Sequence, residues 1–224
     1  MTDIRTETVP LVDGSTLRLT VAEPDGRVRG GIVVLHEARG ITDAVRGLVH
    51  GLAGDGWLAV APHLYHRDNA DEVDEDQADA QAGKLDRDEV LADTDTAFGW
   101  LAERAVDSDR MGVVGFDVGG SVALLVAAKR TLGAVVTIGN DVPSSSVTAL
   151  VSAAQGLSCP WLGIYGAEGT ADPEIDRLRV AAASSEVATD IVVYSSKSDR
   201  FDDDPDTAAE AWQRTLNWFD SHLR

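Results

Sequence analysis

Cysteine is nearly absent from this sequence. Cys159 is the only one, so no intrachain disulfide can form. It stands before Pro160 at the expected start of a strand and reads as a small buried hydrophobe rather than a reactive thiol. Lysine is almost as scarce, occurring only at Lys84, Lys129 and Lys197. The 19 basic residues face 38 acidic ones, a formal net charge of −19. Such a surface repels phosphate backbones and anionic membranes, so neither nucleic acid nor a membrane is an expected partner. No apolar run approaches the roughly 18 residues of a membrane span. The opening MTDIRTETVP is charged and has no apolar stretch of the kind a secretory signal needs, which makes the cytoplasm the expected location. There is no G-x-G-x-x-G and no Walker pattern, and no cofactor is expected.

What is present is apolar matter enough for one core. Hydrophobic residues make up 44% of 224 positions, which suits one α/β domain over residues 1–224. Asp13-Gly14 lies between two short segments and signals a hairpin. Continuous apolar runs at 31–36, 57–61, 111–116, 134–138, 161–165 and 191–194 read as buried strands, since strands covered on both faces lose the alternating pattern. Pro62 is expected to stop the second of these. Helical spacing fills 42–54, 86–104, 118–130, 145–155, 173–184 and 208–223, with Thr42 or Asp43 as a cap for the first. The acidic stretch 66–83 reads as a partly helical, solvated surface excursion. Strands alternating with helices predict a mostly parallel sheet flanked on both faces, a three-layer α/β/α sandwich with ligands beyond the carboxyl ends of the strands.

The most informative segment is Gly112-Val-Val-Gly-Phe-Asp-Val-Gly-Gly120. A strand, a glycine, an apex residue and a glycine pair opening a helix form the layout of a nucleophile elbow. The apex is Asp117, and the next backbone N–H, on Val118, points at the oxyanion position. Leu35-His-Glu-Ala-Arg-Gly40, Ala59-Val-Ala-Pro-His-Leu-Tyr65, Gly115-Phe-Asp-Val-Gly-Gly120 and Gly163-Ile-Tyr-Gly166 together resemble, in order and over essentially the whole chain, the dienelactone hydrolase family. The resemblance implies an α/β-hydrolase fold and hydrolysis of a lactone or ester through an acyl-enzyme. It also implies a cysteine at the elbow apex, an acid after the 161–165 strand and a histidine after the 191–194 strand.

At those three places the sequence departs from the family pattern. The apex is Asp117, the acid's position falls on Gly169, and the histidine's falls on Asp199. The family's substrate-clamping arginine would fall on Asp203. Glu37 matches a family active-site residue, and Ala38 matches the second oxyanion donor. His36 and His63 end strands and are the candidates for a rim base, against a structural role for each. An ionised Asp117 at a helix N-terminus is expected to be a stable anion. Glu37, Asp117 and Asp199 form a candidate carboxylate cluster for a hard cation, although their spacing matches no metal-loop motif and no metal is expected. The expected function is that of a non-hydrolytic or strongly impaired relative holding a small molecule in the elbow pocket. The alternative is a hydrolase of altered chemistry using Asp117 with Glu37 or a rim histidine.

Overall fold

The computed structural model describes residues 3–140, 142–143, 146–167, 172–195 and 201–223, the last without the side chain of Phe201. Eight strands form one sheet in the order β1-β2-β4-β3-β5-β6-β7-β8. The hairpin around Asp13-Gly14 joins β1 (Ile4–Pro10) to β2 (Thr16–Ala22). β2 lies antiparallel to β4 (Leu58–Pro62), and all later pairings are parallel. β4 stops at Pro62, as expected, with Pro62 itself its last residue and paired with Leu19 of β2. The rest of the sheet is β3 (Gly31–Leu35), β5 (Met111–Phe116), β6 (Ala134–Gly139), β7 (Trp161–Ala167) and β8 (Thr189–Ser195).

Strand residues alternate between two cores, which is why the runs are apolar throughout. On β3, Ile32 and Val34 face one core, with Val49 and Leu52 of α1 (Asp43–Gly54) and Phe219 of α7 (Pro205–His222). Val33 and Leu35 face the other, with Phe98 and Leu101 of α3 (Arg87–Ala102) and Leu124 of α4 (Val118–Ala127). α5 (Val147–Gln155) and α6 (Pro173–Ala182) complete that second layer through Leu150 and Leu178. The result is the expected three-layer α/β-hydrolase sandwich. Part of the acid excess caps helices: Asp86, Asp172 and Asp204 each accept backbone N–H bonds in the following first turn.

The 66–83 excursion is less detached than its composition suggests. It contains a 3-10 turn at His66–Asp68 and α2 (Glu75–Ala82). Asp93 of α3 is fully buried and receives two N–H bonds from Arg67, at 2.6 and 3.0 Å, with His66 Nε2 3.0 Å away. Farther along, Ile41 donates its N–H to the carbonyl of Asp71, and Val73 donates to that of Arg39. The excursion is thereby fastened to the loop that follows β3. No helix among the described residues is long and apolar enough to cross a membrane.

Candidate functional site at the strand-to-helix elbow

The site is made where parallel strands end together. Leu35 of β3 is in register with Gly115 of β5, and Phe116 with Ile138 of β6. Asp117 sits between β5 and α4 with φ 48° and ψ −110°. That left-handed turn is unfavourable for a side-chain-bearing residue and is typical of strained functional positions. The glycines make it possible. A Cβ on Gly115 would lie 2.1 Å from the Gly119 carbonyl oxygen, and one on Gly119 would lie 2.5 Å from the carbonyl oxygens of Leu35 and His36. The Asp117 N–H donates to the Ile138 carbonyl at 2.7 Å, and its own carbonyl accepts from Ser121 at 3.1 Å to open α4.

The Asp117 carboxylate is held by Asn140, just past β6. Oδ1 accepts from the Asn140 backbone N–H at 3.2 Å and from its side-chain amide at 3.4 Å. Asn140 was not a candidate in the sequence. The only available signal was its place at the end of the strand next to the elbow. A cavity of about 10 Å³ adjoins Asp117, with Ser121, Thr137 and Tyr165 among its walls. That is room for about one water. The Tyr165 hydroxyl lies 3.0 Å from Thr137 Oγ1, which also accepts from Trp161 Nε1 at 3.0 Å. Burial pushes the Tyr165 phenol up to about 12, so it stays protonated near neutral pH.

Glu37 and Ala38 follow β3, half-buried beside the elbow. Tyr65, another residue the sequence did not single out, donates its hydroxyl to the Ala38 carbonyl at 2.7 Å. It thereby fixes the loop expected to carry the second oxyanion donor. Burial, helped by the Glu37 charge, pushes its phenol up to about 12. Glu37 also lines an opening of about 160 Å³ with Phe116 and Asp202. That opening shares Leu48, Phe116 and Asp202 with a neighbouring one of about 330 Å³ against Trp212 of α7.

The reach of His36 and His63 to the pocket rim is corrected by their bonding. His36 is fully buried; its Nδ1–H donates to the Glu37 carbonyl at 2.7 Å and its Nε2 accepts from the Leu64 N–H at 3.3 Å. Burial lowers its pKa to about 4. His63 is 3% exposed, with Nδ1 2.6 Å from Asp71 Oδ1 and Nε2 2.9 Å from Thr20 Oγ1. Burial lowers its pKa as well, against the opposing pull of Asp71. Both imidazoles spend both nitrogens on structure, and neither is among the described residues lining the cavities at the elbow. Gly169 and Asp199 lie outside the described residues. Among the described residues, no three His, Cys, Asp or Glu side chains gather in a way that could hold a metal ion. Cys159 is buried at the amino end of β7, the end of the sheet opposite the elbow.

Comparison with known proteins agrees with this architecture. The dienelactone hydrolase family matches residues 17–223. A Salmonella typhimurium (strain LT2) protein provisionally named carboxymethylenebutenolidase is 30% identical over 204 residues, covering 84% of this chain and 76% of that protein. The carboxymethylenebutenolidase of Rhodococcus opacus is 30% identical over 207 residues, covering 86% and 81%. A crystal structure from Klebsiella pneumoniae, provisionally titled a dienelactone hydrolase, superposes with a TM-score of 0.84 at 28% identity, covering 99% of this chain and 100% of that one. On the match across nearly its whole length, the chain belongs to the dienelactone hydrolase family.

Proposed function

We propose that this family member has lost triad hydrolysis and works by holding a small ligand beside the elbow. The observation that carries the reading is the whereabouts of the histidines. The chain has 5, and every one lies among the described residues. His36 and His63 are spent on structure, and His66 is bonded to Asp93. His50 is exposed on α1, and His222 packs on Trp218. None is among the residues lining the elbow cavities. With Asp117 at the apex, Gly169 and Asp199 at the other two family positions complete the replacement of the triad.

Chemistry argues the same way. Carboxylate attack on an ester carbonyl gives a tetrahedral adduct that expels the carboxylate rather than the more basic alkoxide, so the acyl group returns to the alcohol instead of passing to Asp117. The Asp117 carboxylate is instead tied to the backbone and side-chain N–H groups of Asn140. The cavity that Asp117 itself lines, about 10 Å³, has room for about one water. Cytoplasmic location belongs to the same proposal, and cell fractionation tests it. For activity, the experiment is the initial rate on p-nitrophenyl acetate and on an enol lactone, for the parent and Asp117→Ala. Equal, near-background rates support the reading; a robust parental rate lost in Asp117→Ala sinks it.

One observation favours a second reading. The left-handed backbone at Asp117 preserves the strain of a working elbow. On a substrate with a saturated carbon and a leaving group, Asp117 would form an alkyl ester, and Glu37 would activate the water that cleaves it. Turnover of a primary alkyl halide in ¹⁸O-water would then leave label in the Asp117 peptide. An unlabelled peptide after many turnovers excludes this route.

A further inference from the structure

The sheet ends in two strands of opposite character. At one edge β1 carries Arg5 and Glu7 and finishes in Pro10, the charges and the missing N–H with which an edge strand resists pairing. At the other edge β8 reads Thr-Asp-Ile-Val-Val-Tyr-Ser, with one charge and no proline. Ile191 and Val193 pack on one core and Val192 and Tyr194 on the other, yet all four are only partly buried. Among the described residues no strand pairs with the outer edge of β8. The Trp161 N–H donates to the Ala188 carbonyl at 3.0 Å, and Trp161 is in register with Thr189. That spacing turns the backbone groups of Asp190, Val192 and Tyr194 toward β7, and those of Thr189, Ile191, Val193 and Ser195 outward.

We propose that β8 pairs antiparallel with β8 of a second copy of this chain, joining two sheets across a two-fold axis at Val192. The pairing does not depend on what the elbow does. The outward backbone groups select the register. Antiparallel strands are bonded through facing residues that exchange both of their N–H···O bonds. With the axis at Val192, Ile191 meets Val193 and Thr189 meets Ser195, so every outward residue of β8 is used, in about eight bonds. An axis at Ile191 or Val193 pushes Ser195 or Thr189 past the end of the facing strand. The side chains favour the same register. Val192 meets Val192, and Asp190, the one charge, faces Tyr194 rather than another Asp190. The Tyr194 hydroxyl accepts from Arg214 Nε at 3.1 Å, so Asp190 of each copy comes beside Arg214 of the other. Arg214 gives Nε and Nη2 to Glu210; Nη1 takes no part in those bonds and can turn to the incoming carboxylate. An unrelated extended segment could match the backbone groups, but a copy of β8 supplies this side-chain order by symmetry, and the contact closes with two copies.

The test is light scattering of the full chain after size exclusion, over a range of protein concentrations. Salt is kept in the buffer, because a net charge of −19 on each copy opposes association. The parent should show twice the mass of the chain. Val192→Glu sets two carboxylates face to face on the axis and should halve that mass while keeping the parental circular dichroism. Ser195→Pro leaves the core alone: it removes an outward N–H at an exposed position and should shift the dimer toward monomer. Cross-linking reads the register. Val192→Cys should form a disulfide between copies on mild oxidation, since facing residues of an antiparallel pair bring their Cβ atoms to about 4.5–5.5 Å. Ser195→Cys should not, because it faces Thr189. Cys159, 1% exposed, stays out of the reaction. Where Val192→Glu loses its fold, Ser195→Pro and the cross-links decide. A parent that is monomeric at every concentration overturns the proposal, whatever other protein it captures. So does a dimer that survives Val192→Glu in folded protein, or equal cross-linking of the two cysteine variants.

Discussion

Acid should destabilise this protein through His36 in a window that carboxylates barely share. The imidazole is fully buried, and its Nε2 is an acceptor for the Leu64 N–H, so protonation places a charge in the core and breaks that bond. Its folded pKa is lowered to about 4 from an ordinary value of 6.5. The sign follows from proton uptake: below pH 6.5 the unfolded chain binds a proton that the folded chain refuses. Stability is untouched above that pH and falls by about 1.4 kcal/mol per pH unit until the folded group titrates, about 3 kcal/mol in all. Against a total of roughly 5–15 kcal/mol, that is a large fraction. His63 adds to the loss with the same sign, so the isolating measurement is a difference. His36→Asn keeps an N–H for the Glu37 carbonyl and removes the titration. Its loss of the Leu64 acceptor costs about 1–3 kcal/mol at every pH. Urea unfolding at about pH 7.5 and about pH 5 should show the gap between parent and variant closing by about 2 kcal/mol. Parallel losses, within about 0.5 kcal/mol, would mean that His36 is not the neutral buried group described.

Other consequences are as direct. Gly119→Ala should lower the melting temperature sharply, because its Cβ would meet the Leu35 and His36 carbonyl oxygens at 2.5 Å; a melt within a degree or two of the parent would refute the elbow packing. Cys159 is 1% exposed and its thiol is pushed up to about 12 by burial, so iodoacetamide should label it only in denaturant, as read by intact mass. Rebuilding the family triad should be cooperative. Asp117→Cys alone should do little, whereas Asp117→Cys/Asp199→His/Gly169→Asp should hydrolyse an activated ester faster than any single variant. Additive gains across that cycle would mean that the two loop positions are misassigned.

The sheet was legible because strands covered on both faces must be apolar throughout, as in Gly31–Leu35 and Met111–Phe116. The elbow was legible because backbone approaches of 2.1–2.5 Å admit only glycine at 115 and 119. Contacts made by tertiary pairing left no such mark. Arg67 and Asp93 look like two more charges in an acidic sequence, yet Asp93 is buried and accepts from both terminal nitrogens of the Arg67 guanidinium. Asn140 holds Asp117 through strand adjacency, and a solitary Asn after a strand carries no pattern. His36 and His63 were ambiguous for the same reason. A histidine at a strand end reads alike whether it faces a pocket or, as here, the Leu64 N–H or the Thr20 hydroxyl. The opening against Trp212 needs α1 and α7 together, elements some 160 residues apart in the chain. Gly169 and Asp199 rest on family position alone, outside the described residues.

The claim that the elbow carboxylate no longer supports hydrolysis is met most directly by one pair of rates. Parent and Asp117→Ala are assayed side by side on p-nitrophenyl acetate and an enol lactone, with folding confirmed by circular dichroism. The account predicts two indistinguishable rates close to the uncatalysed reaction. A parental rate well above background that falls to background in Asp117→Ala would contradict it.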